Sequence, residues 1–253
     1  MSHPLPLTGE RTLPGVRGEE YWFARHEAAY AWLVDVLADQ LPGAAVVEAG
    51  SGEGYGAAML RAAGAATVLA LEYDDASARH AHATYTSVRT VRANLAMLPV
   101  ATASADLLVT LQVVEHLWDL RGFLRDCARA VRPGGTVVVT TPNRPVFSPG
   151  LGRGEKPTNP FHVEELDAEQ LHDLLVEAGF VDVVVQGLHH GPRITTWETE
   201  HGTGIVAAQV AAVLGTGDAP GGLDTFAASV TSGDFVVGGH DGAQDLVAVA
   251  VRP

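Results

Sequence analysis

Short apolar runs alternate along this chain with stretches whose apolar positions recur three and four residues apart, the signatures of strands and helices respectively. From Glu19 to Gln40, Trp22, Phe23, His26, Tyr30, Leu33 and Leu37 keep the helical spacing, and Pro42-Gly43 stops the helix. Val46 and Val47 then form a strand that ends at Glu48 and passes through Gly50, Gly52, Gly54 and Gly56 into the helical AAMLRAAG. Thr67 to Tyr73 is a second strand, apolar almost throughout, as a parallel strand covered on both faces should be. A helix from about Asp75 to Tyr85 and a short strand from Thr90 to Asn94 follow. Ala105 to Gln112 is a fourth strand and Leu120 to Val131 a helix. The turn Arg132-Pro133-Gly134-Gly135 leads into the fifth strand, TVVVTTP. After an irregular connection from Pro142 to Pro160 come a helix from Asp167 to Ala178, with Gly179 as its stop, and a sixth strand from Val181 to Leu188. Leu246 to Val251 is the last strand.

This alternation predicts an α/β fold with a doubly wound, mostly parallel, seven-stranded sheet, whose ligands sit beyond the carboxyl ends of the strands. Residues 1–43 form an N-terminal arm and helix, 1–18 being irregular and punctuated by Pro4, Pro6 and Pro14. Residues 44–188 are the core and 246–253 its last strand. The intervening 189–245 reads as a lid or as the dimerisation element of a homodimer, with a helix between Thr195 and Leu214.

Composition narrows the partners. At 253 residues and 47% hydrophobic, the chain can bury a substantial core. A net charge of −14 argues against a nucleic-acid partner and suits neutral substrates, cationic ligands or a divalent metal. The lone Cys127 excludes a disulfide framework and a cysteine metal cluster. There is no apolar run long enough to span a membrane and no basic-then-apolar leader, so the expected location is the cytoplasm.

Gly52-x-Gly54-x-x-Ala57 nearly fits the dinucleotide fingerprint, which would place a pyrophosphate at the helix N-terminus. Glu48 and Glu53, however, would repel a pyrophosphate and attract a cation. S-adenosylmethionine (SAM) carries a sulfonium and an ammonium and no phosphate, so the loop charges favour it over NAD.

These stretches together resemble a class I SAM-dependent methyltransferase over roughly residues 44 to 188. Glu48-Ala-Gly50-Ser-Gly52-Glu-Gly54 matches the family's first motif, and Glu72, followed by Tyr73, matches the acid that binds both ribose hydroxyls. It stands 20 residues after Gly52, where a ribose-reading acid belongs. In RANLAMLPV, Asn94 occupies the place of an Asp that contacts the adenine amino group, and Leu95 would be an adenine wall. LQVVEHL, with Gln112 at the cofactor's edge, resembles a motif of a subgroup that includes quinone O-methyltransferases. The wider chain (TGERTLPG, EEYWFARHEAAY, TPNRPVFSPG, NPFHVEE) resembles an actinobacterial group associated with O-methylation of polymethylated polysaccharides. That resemblance implies a sugar or oligosaccharide acceptor.

Methyl transfer from a sulfonium is an in-line displacement, and a sugar hydroxyl, a poor acid, needs a base or a metal. Glu115 and His116, just past the fourth strand, are the catalytic candidates, and His162 can return to the same edge. Glu115, His116 and His162 resemble part of the magnesium site of small-RNA 2′-O-methyltransferases, with Gln112 in place of a first Glu. The resemblance implies Mg2+, while two imidazoles would equally suit Mn, Fe or Zn. The bland readings are a helix cap for Glu115 and a supporting hydrogen-bonded role for His116. Tyr21, Trp22 and His26 read as core, with one aromatic as a candidate sugar platform; His189 and His190 could line the acceptor pocket. Alternatives are an O-methyltransferase of a small phenol, quinone or polyketide, a non-catalytic SAM-fold binding subunit, and, against the loop charges, an NAD-dependent oxidoreductase.

Overall fold

Consecutive residues of a strand point to opposite faces of its sheet. The continuous apolar runs therefore feed two cores at once: Val46, Leu107 and Val138 pack into one, and Val47, Leu108, Val137 and Val139 into the other. The computed structural model describes residues 12–216 and 220–253. Its core elements are α1 (Glu20–Val36), β1 (Ala45–Ala49), α2 (Tyr55–Ala62), β2 (Thr67–Glu72), α3 (Asp75–Thr84), β3 (Arg89–Arg92), β4 (Ala105–Leu111) and α4 (Leu120–Ala130). There follow β5 (Val131–Pro142), a single turn α5 (Arg144–Phe147), α6 (Ala168–Glu177) and β6 (Val181–His190). The remaining segment holds α7 (Pro192–His201), α8 (Ile205–Leu214), α9 (Leu223–Ala227), β7 (Phe235–Gly238) and finally β8 (Asp245–Val251).

The sheet order is β3-β2-β1-β4-β5-β8-β6-β7. β1 to β5 pair in parallel, β8 lies antiparallel between β5 and β6, and β7 is antiparallel to β6. The expected doubly wound sheet is present, but with eight strands rather than seven and a mixed edge. The extra strand comes from the segment read as a lid. β6 runs on to His190, and its last residues, Gly187 to His190, would be an open edge without Phe235–Gly238 beside them. The helix expected between Thr195 and Leu214 is two helices, because Gly202 at φ 66° ends α7. The turn at Arg132–Gly135 survives as a bulge in β5, where the register to β4 jumps from Ala105–Val131 to Leu107–Thr136. Of the predicted N-terminal arm, residues 1–11 lie outside the described residues, and 12–18 form turns ahead of α1.

Neither α1 nor the segment after β6 stands apart from the sheet. Tyr21, Leu33, Ile194, Trp197 and Phe235 share one core cluster with Val46 and Val68. α1 also carries three buried polar ties. The Tyr21 hydroxyl lies 2.6 Å from His190 Nε2 on β6, and the Tyr30 hydroxyl donates to Glu48 on β1. Arg25 grips Asp245 at the start of β8 with two nitrogens, Nε to Oδ2 at 2.6 Å. Both partners of that pair are almost wholly buried, at 4% and 2% exposure. Burial works against the guanidinium's charge, but the Asp245 carboxylate more than offsets it and leaves Arg25 above its ordinary value. The rings of Phe147 and Trp22 cover the same guanidinium at 4.7 and 5.8 Å.

Removing one partner of a buried pair strands the other charge, so Asp245→Ala should cost about 3–5 kcal/mol in urea denaturation. The double variant Arg25→Met/Asp245→Leu should be more stable than either single variant. Single-variant losses below ~1 kcal/mol would show that the pair is not isolated from water.

Candidate cofactor and acceptor cleft

The glycine loop leaves β1 beneath α1 and enters α2, and two of its glycines are demanded by what lies against them. Gly50 has φ +84°, and a Cβ there would land on the Val113 side chain; one at Gly56 would land inside the Tyr30 ring. The loop is held open by the β2 end: Gly50 and Ser51 donate to the Leu71 carbonyl at 2.9 and 3.0 Å. Gly52 N–H donates to Glu72 Oε2 at 2.8 Å, and Asp74 N–H to Glu72 Oε1 at 2.7 Å.

A cleft of about 830 Å3 opens at the carboxyl edge of β1, β2 and β4, where an open α/β sheet binds its ligand. Of the residues singled out from the sequence, Gly50, Gly52, Glu72, Tyr73, Asn94, Leu95, Gln112 and His116 line it. Leu95 and Phe123 give it apolar wall, and Asn94 Oδ1 is already turned to the Ala96 amide at 2.9 Å. Gln112 stands at φ +55°, its Nε2 donating to Thr140 Oγ1 and Asp245 Oδ1, both at 3.2 Å, so the cleft floor is tied to the Arg25–Asp245 pair.

Glu48, Gly54, Glu115 and His162 are not part of that lining. Glu48 is fully buried under the loop. Burial pushes its carboxyl up to about 8, the Tyr30 hydrogen bond working in the opposite direction and the charge of Glu72 adding to the rise. It is therefore a support of the loop and of α1. Gly54 faces α3, where a Cβ would sit 2.8 Å from the Ala81 methyl. Glu53 lines the cleft, but its carboxylate also lies 3.2 Å from His80 Nε2, so its charge is shared with α3.

Glu115, His116 and His162 do come together, one candidate ligand atom from each lying within 4.8 Å of the others. His116 Nδ1 is 3.0 Å from the Phe161 carbonyl, an acceptor, so in the neutral ring Nδ1 carries the proton and Nε2 the lone pair. Glu115 takes the Thr141 hydroxyl on Oε2 at 3.0 Å, while its buried Oε1 has no hydrogen-bond partner and lies 3.9 Å from His116 Nε2. Burial raises the Glu115 carboxyl, and the two histidines pull it back. His162 donates from Nδ1 to Glu165 Oε1 at 2.8 Å and receives the Asn159 amide on Nε2 at 3.0 Å.

Several cleft residues escaped the sequence reading. His26 sits in a helical apolar pattern that reads as core, and Tyr55 lies within the glycine loop without a reading of its own, yet both line the cleft. Burial, reinforced by the charge of Arg25, lowers His26 to about 3, so it is neutral near pH 7. Trp118 and Phe161 also line it, following His116 and preceding His162 in sequence. His189 and His190 do not: His190 is held between Tyr21 and Glu198, and His189 turns to the Gly239 carbonyl.

A family model for the methyltransferase domain matches residues 47–139. A Mycobacterium tuberculosis protein described as a probable S-adenosylmethionine-dependent methyltransferase is 45% identical, covering 98% of this chain and 90% of its own. A Mycolicibacterium smegmatis protein of the same description is 44% identical, with 98% and 96% covered. Among solved structures, a Thermotoga maritima SAM-dependent methyltransferase, described as a possible histamine N-methyltransferase, superposes with a TM-score of 0.62 at 18% identity, covering 92% and 94% of the two chains. The chain belongs to the SAM-dependent methyltransferases. SAM is accordingly its cofactor, and the lining fits it: the Glu72 carboxylate, the apolar side chain of Leu95, and, among the described residues, no Lys or Arg.

Glu72→Ala should weaken SAM binding roughly ten- to hundred-fold, the equivalent of about 1.5–3 kcal/mol for hydrogen bonds to a charged group. Isothermal calorimetry showing unchanged affinity would remove Glu72 from the ribose site. Glu48 yields a second expectation. Its folded-state value lies above its unfolded one, so its stabilising contribution is full below about pH 4.5 and lost as pH rises through about 8. Glu48→Gln should therefore gain stability relative to the parent between pH 5 and roughly 8.5. A difference in melting temperature that does not change with pH would contradict this.

Proposed function

We propose that this SAM-dependent methyltransferase is an O-methyltransferase acting on a hydroxyl of a sugar or oligosaccharide, with Glu115, His116 and His162 managing the hydroxyl proton by way of a divalent cation such as Mg2+. The observation that carries the reading is the buried Glu115 Oε1, without a hydrogen-bond partner and next to two imidazoles. A buried carboxylate in that state is stabilised by a cation or by protonation. The His162 Nδ1–Glu165 contact supports the cation, because metal-bound imidazoles characteristically donate their other N–H to a carboxylate. Glu115 Oε1, His116 Nε2 and His162 Nε2 would hold the ion, the last after the Asn159 amide turns aside. Such an ion lowers the pKa of a bound hydroxyl.

The chain's own residues supply the rest. Glu72 and Leu95 orient the nucleoside, and the Thr140–Gln112–Asp245 hydrogen bonds hold the floor of the cleft. His116 is the member of the trio that lines the cleft, and on this reading it meets the acceptor hydroxyl. With the cleft acidic and free of Lys and Arg among the described residues, nucleic acid is not the acceptor on this reading. The second reading, methylation of a small phenol or quinone, draws on the aromatic side chains Tyr73, Trp118 and Phe161 along the cleft.

Labelled SAM should transfer its methyl to neutral sugars in a panel that also holds phenols, and EDTA should abolish turnover until Mg2+ or Mn2+ is restored. His116→Ala should depress turnover by at least ten-fold with SAM affinity little changed, the mark of an interaction used mainly in the transition state. Full activity in EDTA would remove the cation and leave His116 as a general base. Full activity of His116→Ala would remove both.

A further inference from the structure

Trp118 is 91% exposed although it lines the cleft, and Phe161 is 55% exposed on the same cleft. An indole that could bury 150–250 Å2 (about that of any large aromatic) is normally covered by the fold. Nor is this one on a slack loop. On one side the turn Val114–His116 is fixed by the bond from His116 Nδ1 to the Phe161 carbonyl. On the other, Asp119 caps α4 by accepting from Gly122 N–H at 2.8 Å. The backbone around Trp118 is thus anchored on both sides, and its side chain lines the same cleft as His116.

Charge along the same wall is one-sided. Glu72, Asp74 and Asp119 line the cleft, and among the described residues no Lys or Arg does. Recognition of a phosphate or carboxylate calls for such a cation, and like charges brought together are costly. Hydrogen bonds from neutral donors, Ser77 N–H to Asp74 and Gly122 N–H to Asp119, hold these carboxylates in place along the wall.

We propose that Trp118 is the specificity-determining residue for the acceptor, taking the apolar face of an uncharged ring against its indole with Phe161 alongside, while the acidic wall turns anionic acceptors away. The proposal rests on the reading of this cleft as the site of methyl transfer to a ring-bearing hydroxyl compound. It adds which residue reads the ring and which charge the ring must lack.

The chain has four tryptophans, and the indole N–H signal of Trp118 in a 15N spectrum is identified by its loss in Trp118→Phe. With the protein saturated in S-adenosylhomocysteine, titration with maltose or catechol should move that signal, and maltose 1-phosphate should bind at least roughly ten-fold more weakly than maltose. A shift with catechol and none with maltose leaves Trp118 as the ring reader and removes the sugar reading. No shift with either neutral ring, or tighter binding of maltose 1-phosphate or of choline, overturns the proposal. For whichever neutral ring is methylated, Trp118→Ala should raise KM roughly ten-fold or more with SAM affinity and melting temperature unchanged, and Trp118→Phe should restore most of it. An unchanged KM in Trp118→Ala overturns the assignment.

Discussion

A guanidinium sealed from water must be matched or it unfolds the region around it, and in this protein the match is made between α1 and the first residue of β8. Asp245 answers Arg25 with both oxygens and still receives Gln112 Nε2 on one of them. Gln112 is the residue at positive φ where β4 runs out into the cleft. One carboxylate thereby sets the seat of α1, the start of β8 and the floor of the ligand cleft. α1 in turn places Tyr30 over the glycine loop, which is why Gly56 has no room for a side chain.

In and beneath the cleft stand carboxyl groups in three different states. Glu72 is half-exposed and holds two backbone amides, and a charged carboxylate suits that task. Glu48 is deep, and its elevated pKa makes it a neutral or shared-proton support near physiological pH. Glu115 is equally buried but stands among imidazoles, so its charge depends on what occupies the space between them. The same side-chain chemistry is tuned differently at the three places according to depth and neighbours alone.

Much of this is legible in the sequence. The order of strands and helices follows from period and punctuation, and the glycine loop, Glu72, Asn94-Leu95 and His116 all reach one edge because parallel strands end there. What could not be read depended on tertiary placement. β7 is four residues long and becomes a strand only because β6 offers it an edge. His26 keeps helical spacing like any core residue, and nothing in that spacing tells a core-facing position from a cleft-facing one. Glu48 matches the family's first motif as a ligand-side acid, but a residue near a strand's end faces one side of the sheet or the other by parity, and here it is fully buried. Trp118 carried no pattern at all; only its exposure next to His116 marks it.

β8 lies between β5 and β6, and these two earlier strands have no ladder with each other except through it. During synthesis both edges must therefore wait, open, for a segment made much later, and the contacts that finally close the sheet span a long stretch of chain. Topologies of that kind fold slowly and expose pairing edges while they wait. The nascent protein is at its most adhesive just before β8 arrives, and a ribosome stalled short of Asp245 would hold a chain with the glycine loop made and the sheet unsealed.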